Sequence, residues 1–176
     1  VPLSTAILAQ SERTMRERGG GEGAAFDVRR AAADRLPNEV KAAERSGFTL
    51  VIIDTPPHAD FPAARAVEVA DLVLMPSRPG YFDLHAAKAT IALMHDLRKP
   101  AFFVMNQVLH NSQQSGADAS AFLEAKGVKK APLSITLLQP YVRALRDGLT
   151  APEILPEGRQ AEEIGDLWRW TSAQLD

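Results

Sequence analysis

The sequence predicts an α/β fold, a parallel sheet with helices on both faces. Short aliphatic runs recur along the chain at Leu50–Ile53, Leu72–Met75, Ala101–Met105 and Leu133–Leu137. Helix-forming segments separate them. Strands covered on both faces read as continuous apolar runs, and strand–helix alternation implies right-handed crossovers and parallel pairing. Polar residues and prolines close the runs, at Asp54, Pro76 and Asn106, which places them at strand carboxyl ends, where open sheets of this kind gather ligands.

Each element has its own local signal. Ser11–Arg18 is a polar helical segment, and Gly19–Gly23 is a flexible break. Phe26–Val28 is a candidate short strand. Ala31–Ser46 is an amphipathic helix interrupted near its start by Pro37. Leu50–Ile53, bounded by Gly47 and by Pro56-Pro57, is the strand with the strongest aliphatic signal. Pro62–Ala70 is the next helix, and Leu72–Met75 a second strand stopped by Pro76. Leu84–Leu97 is a long helix with Asp83 as N-cap. Ala101–Met105 ends at Asn106. Ala117–Ala125 is helical with Gly127 as its C-cap, and Leu133–Leu137 follows as a strand. Tyr141–Asp147 is a short helix closed by Gly148. Gln160–Gln174 is the last, with Ile164, Leu167, Trp168 and Leu175 toward the core and Trp170 partly exposed.

Bulk composition narrows the chemistry. The chain has 176 residues, 45% hydrophobic and 24% charged, with a formal net charge of −2. One domain's core is the expectation at this length. That balance gives no global attraction to nucleic acid or anionic lipid, so any such contact rests on a local basic patch. Cysteine is absent, which excludes disulfides, thiolate zinc sites and cysteine nucleophiles. No apolar run approaches the ~20 residues of a membrane span. VPLSTAILAQ lacks a basic leader, so a cytoplasmic protein without a membrane partner is expected.

Asp54 is the sharpest candidate for chemistry. A carboxylate directly after a buried strand can hold water or Mg²⁺ beside phosphates. It can equally cap a turn, and strand and carboxylate alone do not separate the two roles. Thr55-Pro56-Pro57 favours the first, adding a hydroxyl at the same edge and a stiff exit loop. The histidines, His58, His85, His95 and His110, are scattered without metal-ligand spacing. No serine sits in a G-x-S-x-G elbow.

VIIDTPP, ADLVLMPSRPGYFDLHAAKATIAL, FFVMNQV and GLTAPEILPEGRQAEEIGDLW, in this order, resemble the landmarks of the ParA/MinD-like partition ATPases, and among them the ParA-type plasmid and chromosome partitioning proteins. The resemblance covers roughly Phe26 to the C-terminus. It implies a P-loop NTPase-like fold of the deviant Walker A class, with residues 26–176 as the C-terminal portion of the ATPase domain and residues 1–25 as a polar helix and glycine-rich linker. It implies ATP and Mg²⁺ as ligands. Asp54 matches the Walker B or switch II carboxylate that positions the magnesium-bound water. Thr55, Pro56 and Pro57 match the switch segment, and Asn106 the asparagine that borders the adenine. An Asn carboxamide offers a base edge both a donor and an acceptor, though without the flanking pattern it reads as a turn residue.

The resemblance further implies an ATP-bound homodimer, a ParB-like stimulatory partner and non-specific DNA binding. Lys126, Lys129, Lys130, Arg143 and Arg146 are the candidate phosphate contacts. Any one of them also reads as part of a solvated helix face. One departure stands out. The family's phosphate loop ends in Lys-Ser/Thr, so that backbone amides cradle phosphate while the lysine neutralises it. GGGEG at Gly19–Gly23 is followed by Ala24-Ala25-Phe26, with neither lysine nor hydroxyl. The first strand and phosphate loop are therefore expected to be lacking, through truncation or degeneration. Weak ATP binding and little or no hydrolysis are expected of the chain alone. The alternative is a non-catalytic interaction module.

Overall fold

The computed structural model describes residues 29–55, 61–109, 113–147 and 149–175. The expected polar helix Ser11–Arg18, the glycine-rich break, the strand Phe26–Val28, Pro56, Pro57, His58, His110 and Gly148 lie outside the described residues. The chain divides into two compact units, Val1–Leu72 with Leu93–Lys99, and Val73–Ala92 with Pro100–Asp176.

In the first unit a 3₁₀ turn, Ala33–Arg35, leads into α1, Leu36–Arg45. Pro37 begins this helix instead of interrupting it. In the first turn its missing N–H has no partner to lose. Helix α1 ends in a Schellman motif: Gly47, at φ +84°, donates to the Glu44 carbonyl and Phe48 to that of Ala43. Helix α2 is Phe61–Val69, with Ala63, Ala66 and Val67 buried. The expected strand Leu50–Ile53 is not formed. Among the described residues only Ile52 makes an isolated bridge, and its side chain is 55% exposed. An aliphatic run becomes a strand only when neighbours complete its ladder, and local composition does not supply them.

The second unit holds a three-stranded sheet in the order β1–β2–β3, all parallel, formed by Val73–Ser77, Ala101–Val108 and Lys129–Thr136. All three strands outrun the sequence expectation, β3 at its start, which lies at Lys129 and not at Leu133. Pro76 does not stop β1, where it pairs in register with Val104. An edge strand of this sheet tolerates a residue with no N–H to give. Asn106 does not end β2, which continues to Val108.

Between the strands, the expected long helix Leu84–Leu97 is two, α3 (Tyr81–Ala86) and α4 (Lys88–Leu97). Gly80, not Asp83, is the N-cap of α3. Asp83 lies in the first turn, where its charge complements the helix dipole. Helix α5, Gln113–Ala125, ends in a second Schellman motif. Gly127 at φ +66° donates to Glu124, Val128 donates to Leu123, and the Val128 and Leu123 side chains are both buried. Helices α6 (Gln139–Asp147), α7 (Ala151–Ile154) and α8 (Arg159–Ala173) complete the unit.

Side-chain alternation divides the sheet residues between its faces. Val104, Ala131 and Ile135 form one cluster, covered by Tyr141 of α6 and by Ile164, Leu167 and Trp170 of α8. Phe103 and Met105, out of phase with Val104, are 0% and 3% exposed, so the opposite face is covered as well. Trp170, not Trp168, is the packed tryptophan. It meets Phe102 edge-on with centroids 4.9 Å apart, while Trp168 is 52% exposed. On the α8 wheel the stripe is centred on Leu167, and Trp168 lies about 100° away from it.

Candidate functional site

Asp54 and Thr55 lie in the first unit, just past the Ile52 bridge. Asp54 is exposed and Thr55 half-buried. Carboxylate and hydroxyl are the oxygen donors a hard cation takes. Among the described residues no group of three or more His, Asp or Glu side chains forms a metal cluster.

The carboxyl ends of β1, β2 and β3 form the edge of the second unit. Here the backbone does something unusual at Asn106. Gln107 has φ +54°, a left-handed conformation in the middle of a strand. Three steps along β2, Met105 to Val108, match two along β3, Ser134 to Thr136, so an extra residue bulges from β2 between them. The Gln107 N–H turns back to donate to Asn106 Oδ1 at 2.9 Å. Past the bulge the ladder resumes, with the Leu137 N–H donating to the Val108 carbonyl at 3.0 Å. Non-glycine residues are uncommon at positive φ, and bulges recur beside functional sites, where they re-aim a side chain.

At the neighbouring strand end a polar network joins β3 to α8. Thr136, 6% exposed, donates its backbone N–H to Glu163 Oε2 at 2.9 Å and its hydroxyl to Glu163 Oε1 at 2.6 Å. Arg159 donates Nε to Glu163 Oε1 at 2.8 Å and Nη2 to the Thr136 hydroxyl at 3.0 Å. The preceding loop is fixed by Gln160, 2% exposed, whose Nε2 donates to the Leu155 carbonyl at 2.9 Å. A Cβ on Gly158 would stand 2.3 Å from that Nε2, so the buried carboxamide needs glycine there. Burial, and then the charge of Glu163, push the Tyr141 phenol above its ordinary range. Sequence reading did not find this network. Arg159 and Glu163 stand four apart on one helix, a readable pair, but Thr136 lies 27 residues from Glu163.

The basic candidates all belong to the second unit. Lys129 lies 5.8 Å from the Phe102 ring centroid. Lys126, with Lys88, stands near enough to His85 to lower that imidazole's pKa, after the larger effect of burial. His85 is stacked with Tyr81 at 4.0 Å and Phe122 at 5.4 Å. Lys130, Arg143 and Arg146 are exposed. Asp83 keeps its carboxylate folded over the start of α3, where a Cβ on Gly80 would lie 2.8 Å from Oδ2.

A parallel sheet flanked by helices, with polar side chains at the strands' carboxyl ends, defines an α/β protein. No protein-family model matches the chain. Among curated proteins it is 26% identical over 156 residues to the maintenance of carboxysome distribution protein A of Gloeobacter kilaueensis, covering 86% of this chain and 69% of that one. Among solved structures it is similar to the MinD cell division protein of Aquifex aeolicus, at TM-score 0.71 and 16% identity over 86% of this chain. The cell division ATPase MinD of Pyrococcus furiosus gives a TM-score of 0.65 at 17% identity over 81%. A ParA family ATPase of Chlorobium tepidum gives 0.63 at 16% over 78%. The chain spans 66%, 59% and 57% of these three solved chains. Its fold is that of the MinD and ParA ATPases. No helix among the described residues is long and apolar enough to cross a membrane.

Proposed function

We propose that these residues belong to an ATPase of the ParA/MinD-like kind that uses ATP-dependent dimerisation to position an intracellular cargo over DNA. The observation that carries the reading is the sheet edge of the second unit. It has the MinD/ParA fold and holds a carboxamide, Asn106, on a bulge near the end of the central strand. In this reading Asn106 borders the adenine. Asp54 and Thr55, followed in sequence by Pro56 and Pro57, form the switch that meets Mg²⁺ and the γ-phosphate. The ion would neutralise phosphate charge, and this chain's part is to supply oxygen donors and orient water.

The cargo is a plasmid or chromosome, as the ParA-type resemblance suggests, or a carboxysome, as the name of the Gloeobacter relative suggests. Lys126, Lys129, Lys130, Arg143 and Arg146 would contact DNA phosphates, and a ParB-like partner would stimulate turnover. Replacing these cations with neutral side chains should reduce the slope of log affinity against log salt by about 0.9 for each phosphate left unneutralised.

The test is ATP hydrolysis by the gene product that carries these residues, with and without duplex DNA. Asp54→Ala should lower turnover about a hundred-fold, the scale of losing a group that acts on the developing charge. Unchanged turnover removes Asp54 from the mechanism. A parent protein with neither turnover nor ATP-dependent assembly is instead a non-catalytic interaction module.

A further inference from the structure

We infer that Gln107 is a positioning residue. Its left-handed bulge fixes which edge of the Asn106 carboxamide meets the ligand, and so selects the adenine ring by its N6/N7 edge. The inference rests on the reading of Asn106 as the base-side residue and adds to it the element that orients the side chain.

A residue other than glycine at φ +54° inside a strand is strained, and such strain persists only where surrounding structure holds it. Here the extra residue in β2 absorbs it, while the ladder resumes with Val108 opposite Thr136. The consequence is local. The Gln107 N–H no longer points into the ladder as a regular strand amide would, and it meets Asn106 Oδ1 at 2.9 Å.

A carboxamide left alone flips its oxygen and nitrogen between two nearly isosteric positions. An N–H donor against one of them ends that freedom, because only the oxygen accepts. Asn106 retains one Oδ1 lone pair and both Nδ2 hydrogens for a ligand. Adenine presents N7 as acceptor and the N6 amino group as donor, which an oriented carboxamide meets with one bond each way. Guanine presents two acceptors, N7 and O6, and sets O6 against the held oxygen. The bulge thus turns a side chain able to greet either purine into one matched to adenine.

The experiment uses the full chain, ¹⁵N-labelled and titrated to millimolar concentration with ATP and, separately, with 7-deaza-ATP. The analogue keeps the sugar and triphosphate and loses only the N7 acceptor. Wild type should prefer ATP by about two- to ten-fold, the worth of one net hydrogen bond, with the Asn106 side-chain amide among the shifted resonances. Gln107→Gly tolerates positive φ and keeps the N–H, so the preference should persist. Gln107→Val, β-branched and hostile to that conformation, frees the carboxamide to flip and should shrink the preference by up to about two-fold. Asn106→Asp, which still accepts from Gln107 but has no donor for N7, should bind both nucleotides equally. If Gln107→Val does not fold, the other two variants decide: preference kept in Gln107→Gly and lost in Asn106→Asp supports the inference. A preference unchanged in Gln107→Val or Asn106→Asp overturns it. ATP shifts elsewhere that leave Asn106 and Gln107 unmoved also overturn it, while nucleotide binding itself stands. If ATP moves no resonance, the base-side reading fails, and this inference with it.

Discussion

Glu163 ties the end of β3 to α8, and replacing it with alanine removes the acceptors of two donors on Thr136. Thr136 is 6% exposed, so its N–H and hydroxyl have little water to turn to. Each buried donor left unmet costs about 1–3 kcal/mol. The Glu163 side chain is itself 12% exposed, so truncation admits some solvent and favours the lower half of that range. Together the two donors come to about 3 kcal/mol. For a chain of this length 1 kcal/mol moves the melting temperature by about 2–4 °C, so Glu163→Ala should melt about 6–12 °C lower.

The assay is thermal unfolding followed by tryptophan fluorescence. Both tryptophans, Trp168 and Trp170, lie on α8, so the signal reports the unit concerned. Arg159→Ala is the control. Its guanidinium touches the same two residues, but the side chain is 49% exposed. An exposed pair contributes less than about 1 kcal/mol, so its shift should stay under about 4 °C. The reasoning is refuted if Arg159→Ala costs as much as Glu163→Ala, or if Glu163→Ala melts within about 2 °C of the parent.

Three further outcomes are expected. The Tyr141 phenol is raised above its ordinary value near 10 by burial and by Glu163, so the folded state holds its proton longer than the unfolded state. That stabilisation is complete below about pH 10 and lost as pH rises through the folded pKa. Tyr141→Phe should therefore flatten the fall in melting temperature measured from neutral to alkaline pH. Arg98 stands at φ +52° after α4, with the Lys99 N–H donating to the Met94 carbonyl, which is the Schellman position glycine usually fills. Arg98→Gly should stabilise by about 0.5–1 kcal/mol in denaturant titration. Trp170→Ala should cost about 3 kcal/mol, since its ring packs against Phe102 and the sheet, and Trp168→Ala, already 52% exposed, less than about 1 kcal/mol in the same titration.

Much of the fold was legible because its signals are local. Gly47 and Gly127 mark helix ends, since the left-handed residue of a Schellman motif favours glycine whatever surrounds it. The helices around Ala63–Val67 and Ile164–Trp170 follow from apolar periodicity. The tryptophans mislead because both flank the stripe's centre at Leu167, Trp168 by about 100° on one side and Trp170 by about 60° on the other. Choosing which of two large apolar residues faces the sheet requires the centre of the stripe, and Gln160, Glu163 and Thr171 help to set it. Asp83 misleads for a similar reason. It carries an N-cap side chain, yet Gly80 takes the cap and the carboxylate serves the first turn.

The strand errors share one cause, and it bears on the site. Proline and asparagine looked like stops at Pro76 and Asn106, yet both strands run on, while Leu50–Ile53, the strongest aliphatic run, makes a single bridge. Where a strand begins and ends is decided by the neighbour that pairs with it, often tens of residues away, and not by its own composition. Asn106 shows what that non-local control builds. Composition suggests a strand end there, a place where a carboxamide would project from a loop. Pairing with β3 instead carries the ladder past it to Val108, and the local mismatch of one residue between Met105 and Val108 is taken up at the left-handed Gln107. The same mismatch that hides the strand's extent from the sequence holds the Asn106 oxygen in place. A carboxamide mounted on a paired central strand keeps its direction better than one on a loop, so the feature least readable in the chain is the one on which the proposed base-side role of Asn106 depends.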